Sequence, residues 1–495
     1  MKRKRFKGAW PWFMAAVGVI LGFVLLEVSS VFLPAIAITA LAPVYYAVDR
    51  RLSKEMLIGP CLMAYIFHLF GYAIGPVGQI LSSGHLAFPT TAYEGGFVAA
   101  QWGAVLGLLT FPLTYWLFFR IAHRNPALKV TREIDLRQFV RFTTILAVFV
   151  IAILTFGFVS GAGNRLGGLG DVSILFASIY AAFQYTHQIV FFFLGYLAAK
   201  RGGIWPLVWT IAFAFYTLFF FLDGGRGVVA MAGLLSATGW VAGGMATKKV
   251  LLAVALGTII FIPFAGVVNL YRNTNSGYVS SLNERWSAFE QSMSDYSSDI
   301  ETGGQSVPNV FFQRTTTWYV DRVFVFVPSV IPFAGFETLE NVIYVYTPKV
   351  INPDRPEIAE GDDLAIRYKA AAPGTTGSYM AAVGEGYRRF GWIGIPLWYG
   401  VLGAYFGTAA GIAWSKRNSL KWVAFFVFVT ISASEAMIST VLWSCYVLLW
   451  VFPKYFLLFM ILDWISLKLS PSRLSRTPGG VTIVPRGWIS AMKMK

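Results

Sequence analysis

The stretch "FLDGGRGVVA" (residues 221–230) joins two long apolar runs, and it sets the fold. Between the runs stand one carboxylate, three glycines and one guanidinium, Arg226. A charged side chain at the middle of a bilayer costs roughly 2.5–3.5 kcal/mol on insertion scales, so a span is expected to end where charges appear. The stretch therefore predicts a turn between two membrane-spanning helices, with Arg226 at the membrane surface.

The composition places the whole chain in the same class. Of its 495 residues, 56% are hydrophobic and only 13% are charged, whereas soluble proteins average about a quarter charged. We expect an all-α polytopic membrane protein. Its two cysteines, Cys61 and Cys445, lie within apolar runs and show no metal-ligand or disulfide spacing. No metal or other cofactor is expected.

Twelve apolar segments are long enough to cross a bilayer. The first is interpreted as an uncleaved span because many further apolar runs follow it. Near the last two, "ISASEAMISTVLWS" (431–444) fits either a turn or a polar stretch of one helix. The predicted spans are 11–27, 30–48, 56–78, 96–119, 141–160, 173–199, 204–222, 227–246, 250–270, 390–413, 421–437 and 442–465.

Charge alternates across these spans. With the N-terminus inside, 27 of the 40 Lys and Arg residues fall in inner segments and 12 in outer ones, while most acids lie outside. This distribution obeys the positive-inside rule and predicts that both termini are cytoplasmic. The net charge of +16 is therefore mainly a topology signal, with attraction to membrane lipids secondary, and nucleic acid is not expected as a partner.

The spans divide the chain into four parts. Residues 1–270 hold spans one to nine, and 271–389 form one large outer loop that we expect to pack as a cap on the membrane face. Residues 390–465 hold the last three spans, and 466–495 form a basic inner tail.

Arg226 is predicted to lie at the outer ends of the seventh and eighth spans. Gly225 and Gly227 would let a ligand approach the backbone there, and a helix starting at Arg226 or Gly227 would direct its positive dipole end at the same point. A guanidinium fork suits phosphate. The alternative is that Arg226 pairs with Asp223 and only caps the turn.

Further arginines occur at the outer span ends and in the outer loop, interspersed with Tyr and Trp. Arg272 ends the ninth span, and Arg314 and Arg322 stand eight apart, on one face if "TTTWYVDRVFVF" is a helix. Each could also be an ordinary surface arginine. Together they favour an anionic glycan lipid as ligand.

The end of the outer loop carries a proline-bearing stretch, a Thr/Ser-rich segment and a "GE-x-Y-x-x-FG-x-x-G" pattern, and the turn after span seven is similar to "GSRG". The residues concerned are Pro348, Pro353 and Pro356, Thr375 to Ser378, Gly384, Glu385, Tyr387, Phe390, Gly391 and Gly394, and Gly225, Arg226 and Gly227. In these features the chain resembles the O-antigen polymerase (Wzy-type) family.

The resemblance implies a multi-span glycosyltransferase with a lipid-linked donor, similar to the GT-C architecture. It would join undecaprenyl-pyrophosphate-linked repeat units into a surface polysaccharide at the periplasmic face of the bacterial inner membrane. Donor and acceptor would both be lipid-linked, and partners could include a chain-length regulator. Arg226 and Arg272, with Arg314, Arg322 or Arg388, would bind the leaving pyrophosphate.

The transfer also requires a base for the attacking hydroxyl. The candidates are Glu385, Asp223 and His85, with Glu385 ranked first because it lies in the most family-like motif. The alternative for Glu385 is an ion pair with Arg388, three residues on. O-antigen ligases carry a functional histidine in the long outer loop, and this loop has none.

Two other functions remain open. An O-antigen ligase-type transferase would use the same donor. A flippase or transporter for the lipid-linked sugar would suit twelve spans, but it should place more polar residues at membrane depth.

Overall fold

The computed structural model describes residues 31–52, 57–83, 94–124, 134–159, 179–180, 183–223, 225–274, 282–301, 320–346, 352, 354, 361–369 and 380–469. These residues form helices and connecting turns and contain no β-strand. The predicted first span and the basic tail lie outside the described residues.

Seventeen α-helices are described along the chain. In order they are α1 (Phe32–Ala40), α2 (Ala42–Leu52), α3 (Pro60–His68), α4 (Gly75–Ser83), α5 (Glu94–Arg124), α6 (Leu136–Val159), α7 (Thr186–Arg201), α8 (Trp205–Leu222), α9 (Arg226–Ala242), α10 (Thr247–Thr274), α11 (Leu282–Glu301), α12 (Val320–Phe326), α13 (Gly361–Arg367), α14 (Ala381–Ser415), α15 (Leu420–Ala436), α16 (Val441–Tyr446) and α17 (Phe452–Lys468). Two π-helical segments, Leu69–Ile74 and Val447–Val451, continue α3 and α16, and a 3-10 helix covers Leu339–Tyr346.

Eight helical stretches among the described residues are long and apolar enough to cross a membrane, which supports a polytopic membrane protein. They are Phe32–Arg50, Pro60–Leu81, Gly95–His123, Leu136–Gly157, Trp205–Leu222, Thr247–Val268, Ala381–Ser415 and Val441–Lys468. Three further predicted spans coincide with the shorter helices α7, α9 and α15. The total of twelve stays a prediction.

Glycines let the central helices approach each other closely. Gly403, Gly407 and Gly411 recur every four residues on α14, and a Cβ at Gly403 would lie only 2.7 Å from the carbonyl oxygen of Phe111 on α5. The pair α7 and α9 packs in the same way, since a Cβ at Gly243 would lie 2.7 Å from the carbonyl oxygen of Tyr196. Small residues at such spacing are typical of helix contacts within membranes.

The predicted tenth span has an unexpected start. Helix α14 begins at Ala381, before the predicted residue 390, and its backbone leaves helical geometry at Phe390 and Gly391. Gly391 has a φ of 65°, which favours glycine. A Cβ at Gly386 would lie 2.9 Å from the carbonyl oxygen of Gly394, a distance that a straight helix could not give for residues eight apart. Residues 381–389 therefore fold back against the start of the long helix.

The turn between α15 and α16 settles the ambiguous stretch near the C-terminus. Helix α15 ends at Ala436, and α16 begins at Val441, with the hydroxyl of Thr440 accepting a hydrogen bond from the N–H of Trp443 at 3.2 Å. The stretch is therefore a turn between two helices.

Candidate functional site

The turn between α8 and α9 holds Asp223 and Arg226. Helix α8 ends at Leu222, and Arg226 is the first residue of α9. The guanidinium of Arg226 is half-buried and donates to the carbonyl oxygen of Ala265 on α10 at 3.4 Å. A cation is therefore placed at the N-terminus of a helix, where the N–H groups and the dipole already favour an anion.

Arg285, which the sequence did not single out, reaches the same turn from α11. Its Nη1 atom lies 3.5 Å from Oδ1 of Asp223, and both side chains are buried. The Tyr271 hydroxyl donates to the carbonyl oxygen of Leu222 at 2.9 Å. Burial raises the pKa of Tyr271 to about 12, although the nearby Arg285 opposes the shift. Asp223 thus joins α11, the first helix of the predicted outer loop, to the end of α8.

The glycines of this turn differ in their surroundings. Gly225 is buried, and its N–H donates to the carbonyl oxygen of Phe220 at 2.6 Å. Gly227 is exposed, and a Cβ there would meet no atom beyond its own stretch of helix within 4 Å. The first turn of α9 therefore has open space beside Gly227 in the part of the chain that the structure describes.

Glu385 lies in a buried triad of charges with Arg388 and Arg389, all three less than 3% exposed. Its Oε2 accepts from Nε of Arg388 at 2.5 Å, and its Oε1 accepts from Nε of Arg389 at 2.7 Å and from Nη2 of Arg388 at 3.1 Å. The ion pair considered as the alternative for Glu385 is present. Its use as a base stays a prediction.

Arg322 and its neighbour Asp321 lie on α12, which packs on the start of α5. A Cβ at Gly96 on α5 would lie 2.7 Å from Cγ2 of Val325. Both charged side chains are buried. Burial raises the pKa of Asp321 to about 6, although the N–H and the charge of Arg322 act in the opposite direction.

These groups lie at one end of the helix bundle. The end of α8 meets the start of α7, where the ring centroids of Phe220 and His187 are 5.0 Å apart. The start of α7 meets the end of α15, where the hydroxyl of Tyr185 donates to Glu435. The N–H of Ala382, at the start of α14, donates to the carbonyl oxygen of Met437 at 2.9 Å, just beyond α15.

The α8–α9 turn and the Glu385 triad are therefore at the same end of the bundle, joined through Tyr185 and Glu435. Within this end of the bundle, Glu385 accepts its hydrogen bonds from Arg388 and Arg389, while Arg226 donates to Ala265.

Three predicted site residues cannot be located in this way. His85 and Arg314 lie outside the described residues, and so does the side chain of Arg272, whose backbone belongs to α10. The proposed helix over "TTTWYVDRVFVF" is described only from Val320 onward.

Sequence reasoning missed Arg285, Glu435 and Tyr185. Glu435 could have been found, because an acid inside the run 421–437 departs from an otherwise apolar span. Arg285 resembles any other charge of a polar helix, and only the fold brings it to Asp223.

Comparison with protein-family models, with curated proteins and with solved structures finds no match.

Proposed function

We propose that the protein polymerises undecaprenyl-pyrophosphate-linked oligosaccharide repeat units into a bacterial surface polysaccharide. The proposal is supported by one observation above all. Two arginines come to the α8–α9 turn: Arg226 begins α9, and Arg285 pairs at 3.5 Å with Asp223, three residues before it. Open space lies beside Gly227 in the same turn. Such a group of donors fits a pyrophosphate at the membrane surface.

In the proposed reaction the acceptor is a sugar hydroxyl of the next lipid-linked repeat unit. Its oxygen forms a bond to the anomeric carbon of the growing chain, while the bond from that carbon to the pyrophosphate oxygen breaks. The undecaprenyl pyrophosphate leaves with the electron pair, and the hydroxyl proton passes to a base. Arg226 and Arg285 would stabilise the charge that develops on the leaving group.

The candidates for the base differ in their partners and in their distance along the chain from Arg226. Glu385 accepts three hydrogen bonds from guanidinium groups and is fully buried, which favours a structural ion pair. Asp223 lies at the same turn as Arg226, so we rank it above Glu385. His85 stays a third candidate.

We further propose twelve spans in the bacterial inner membrane, with both termini cytoplasmic and the Arg226 end of the bundle periplasmic. The asymmetry of Lys and Arg between loops supports this orientation. It puts the site on the face where assembled repeat units are polymerised.

The test uses the full-length protein purified into nanodiscs with lipid-pyrophosphate-linked repeat units. A ladder of products separated by one repeat unit is expected. A protein that forms no ladder but moves the lipid-linked unit across liposomes would be a flippase, and a single transfer to a lipid A acceptor would indicate a ligase.

A further inference from the structure

An uncharged segment of the outer loop, residues 328–336 with the sequence "PSVIPFAGF", follows α12. Several of its apolar side chains are largely exposed: Val330 is 69% exposed, and Phe336 is 74% exposed. Contiguous apolar surface of this kind marks a contact with a membrane or with another molecule. We call residues 328–336 the apolar segment.

Part of the backbone of the apolar segment is bonded to other protein groups. Its two prolines have no N–H group, and the N–H groups of Val330 and Ile331 both donate to the carbonyl oxygen of Phe326, at 2.8 and 2.9 Å. The N–H groups of Ala334 and Gly335 donate to the carbonyl oxygens of Arg388 and Arg389, at 2.9 and 3.1 Å.

The buried triad supplies the matching donors. Nη1 of Arg389 donates to the carbonyl oxygens of Gly335 and Glu337, at 3.1 and 2.7 Å. Nε of the same Arg389 donates to Oε1 of Glu385 at 2.7 Å, which fixes the orientation of the guanidinium. Residues Arg388 and Arg389 therefore pair both N–H groups of Ala334 and Gly335 and the carbonyl oxygen of Gly335, which lowers the cost of removing this end of the apolar segment from water.

The exposed side chains of the apolar segment continue the exposed surface of α14. The rings of Phe336 and Phe390 have centroids 5.3 Å apart. Beyond Phe390, the residues Ile393, Leu397 and Val401 stand four apart on one exposed face of α14, which is a candidate membrane span. That stripe faces lipid in a membrane, and the apolar segment extends it.

Glu337 is the first charged residue after the apolar segment, and the exposed apolar surface ends there. Glu337 pairs with Arg367 at 2.8 Å, and both side chains are more than a third exposed. Trp392, 45% exposed, stands next to the stripe, as aromatic residues do at membrane surfaces.

We propose that the apolar segment is immersed in the bilayer leaflet at this end of the bundle, with Val330, Phe333 and Phe336 in contact with acyl chains. The buried triad of Glu385, Arg388 and Arg389 fastens the segment to the start of α14. The partner is bilayer lipid, and the proposal does not depend on the polymerase reaction.

The test is a measurement of spin-label accessibility in nanodiscs of phosphatidylglycerol and phosphatidylethanolamine. Single cysteines replace Val330 or Phe336 in a full-length protein whose two native cysteines are alanine. Ile259, 66% exposed on the candidate span of α10, gives the lipid reference. Glu290, exposed on the polar helix α11, gives the water reference.

We expect the ratio of collision rates with oxygen and with a nickel chelate, at both positions, to match that at Ile259 and to exceed that at Glu290 several-fold. A ratio equal to that at Glu290 would overturn the proposal, because the segment would be in water. Low collision rates with both reagents would also overturn it, because a second copy or another protein would then cover the segment. The two labelled positions are independent, so one variant that does not fold leaves the other to decide.

Discussion

The backbones of Gly386 and Gly394 are in contact where α14 reverses direction: a Cβ at Gly386 would lie 2.9 Å from the carbonyl oxygen of Gly394. This contact explains part of the "GEGYRRFGWIG" motif without any substrate. Gly391 permits the reversal with its φ of 65°, and the reversal places Arg388 and Arg389 where they bond to Ala334 and Gly335 of the apolar segment.

Gly394→Ala should destabilise the fold by about 1–3 kcal/mol, because its new Cβ would overlap the carbonyl oxygen of Gly386. The loss of stability is measured as a decrease in the thermal unfolding midpoint of the protein purified in detergent. The matched control is Gly400→Ala on the same helix, where the nearest atom, Cγ2 of Thr110, would lie 3.8 Å away. The control should unfold at the wild-type temperature or slightly above it, since alanine favours helix. Equal midpoints for the two variants would contradict the packing described for the reversal.

Glu385→Gln should cost about 3–5 kcal/mol, because it leaves two buried guanidiniums without their counter-charge. Glu337→Gln breaks the exposed pair with Arg367 and should cost about 0–1 kcal/mol. Chemical unfolding in mixed micelles measures the free energy of unfolding of both variants and of wild type. If Glu385→Gln is as stable as wild type yet makes no polymer, then Glu385 acts in the chemistry and the structural role given to the triad is wrong.

The stability of the protein should depend on pH through Asp321. Folding favours the protonated carboxyl because burial raises its pKa from 3.8 to about 6. Below pH 3.8 the carboxyl is protonated in both the folded and the unfolded chain, so it does not lower the free energy of unfolding. Above about pH 6 folding must bury the charged carboxylate, and the loss of stability is complete. Asp321→Asn should therefore match wild type near pH 4 and exceed its stability by up to about 3 kcal/mol near pH 8.

Unfolding midpoints at pH 4, 6 and 8 check this dependence. Asp295→Asn is the control, since that exposed residue would keep an acceptor oxygen for Gln291. A difference between Asp321→Asn and wild type that is the same at all three pH values would contradict the prediction.

Much of the architecture could be predicted because span length and apolar runs are local properties of a sequence. The runs around "FLDGGRGVVA" correspond to α8 and α9, with Arg226 as the first residue of α9. The reversal at Gly391 was not predicted, since residues 381–389 read as the end of a loop, and only their packing shows them to be a buried helix.

The candidate site was only partly predictable for the same reason. A guanidinium at the end of an apolar run is visible in the sequence, and the structure shows Arg226 as the first residue of α9. A pair between Asp223 and Arg226, three residues apart, was one interpretation of the sequence, and the structure shows Asp223 bonded to Arg285, 62 residues along the chain. Contacts of that separation depend on how α11 packs on α8 and α10, which local sequence patterns do not encode.

The polymerisation assay with Arg226 variants tests the central claim most directly. Wild type, Arg226→Lys, Arg226→Ala and the control Arg201→Ala, an exposed arginine at the other end of α7, are compared in nanodiscs after each is shown to unfold at the wild-type temperature. The account predicts a full ladder for wild type and Arg201→Ala, a loss of at least tenfold for Arg226→Lys, and no ladder for Arg226→Ala. A full ladder from Arg226→Ala would contradict the claim that this arginine binds the pyrophosphate of the donor.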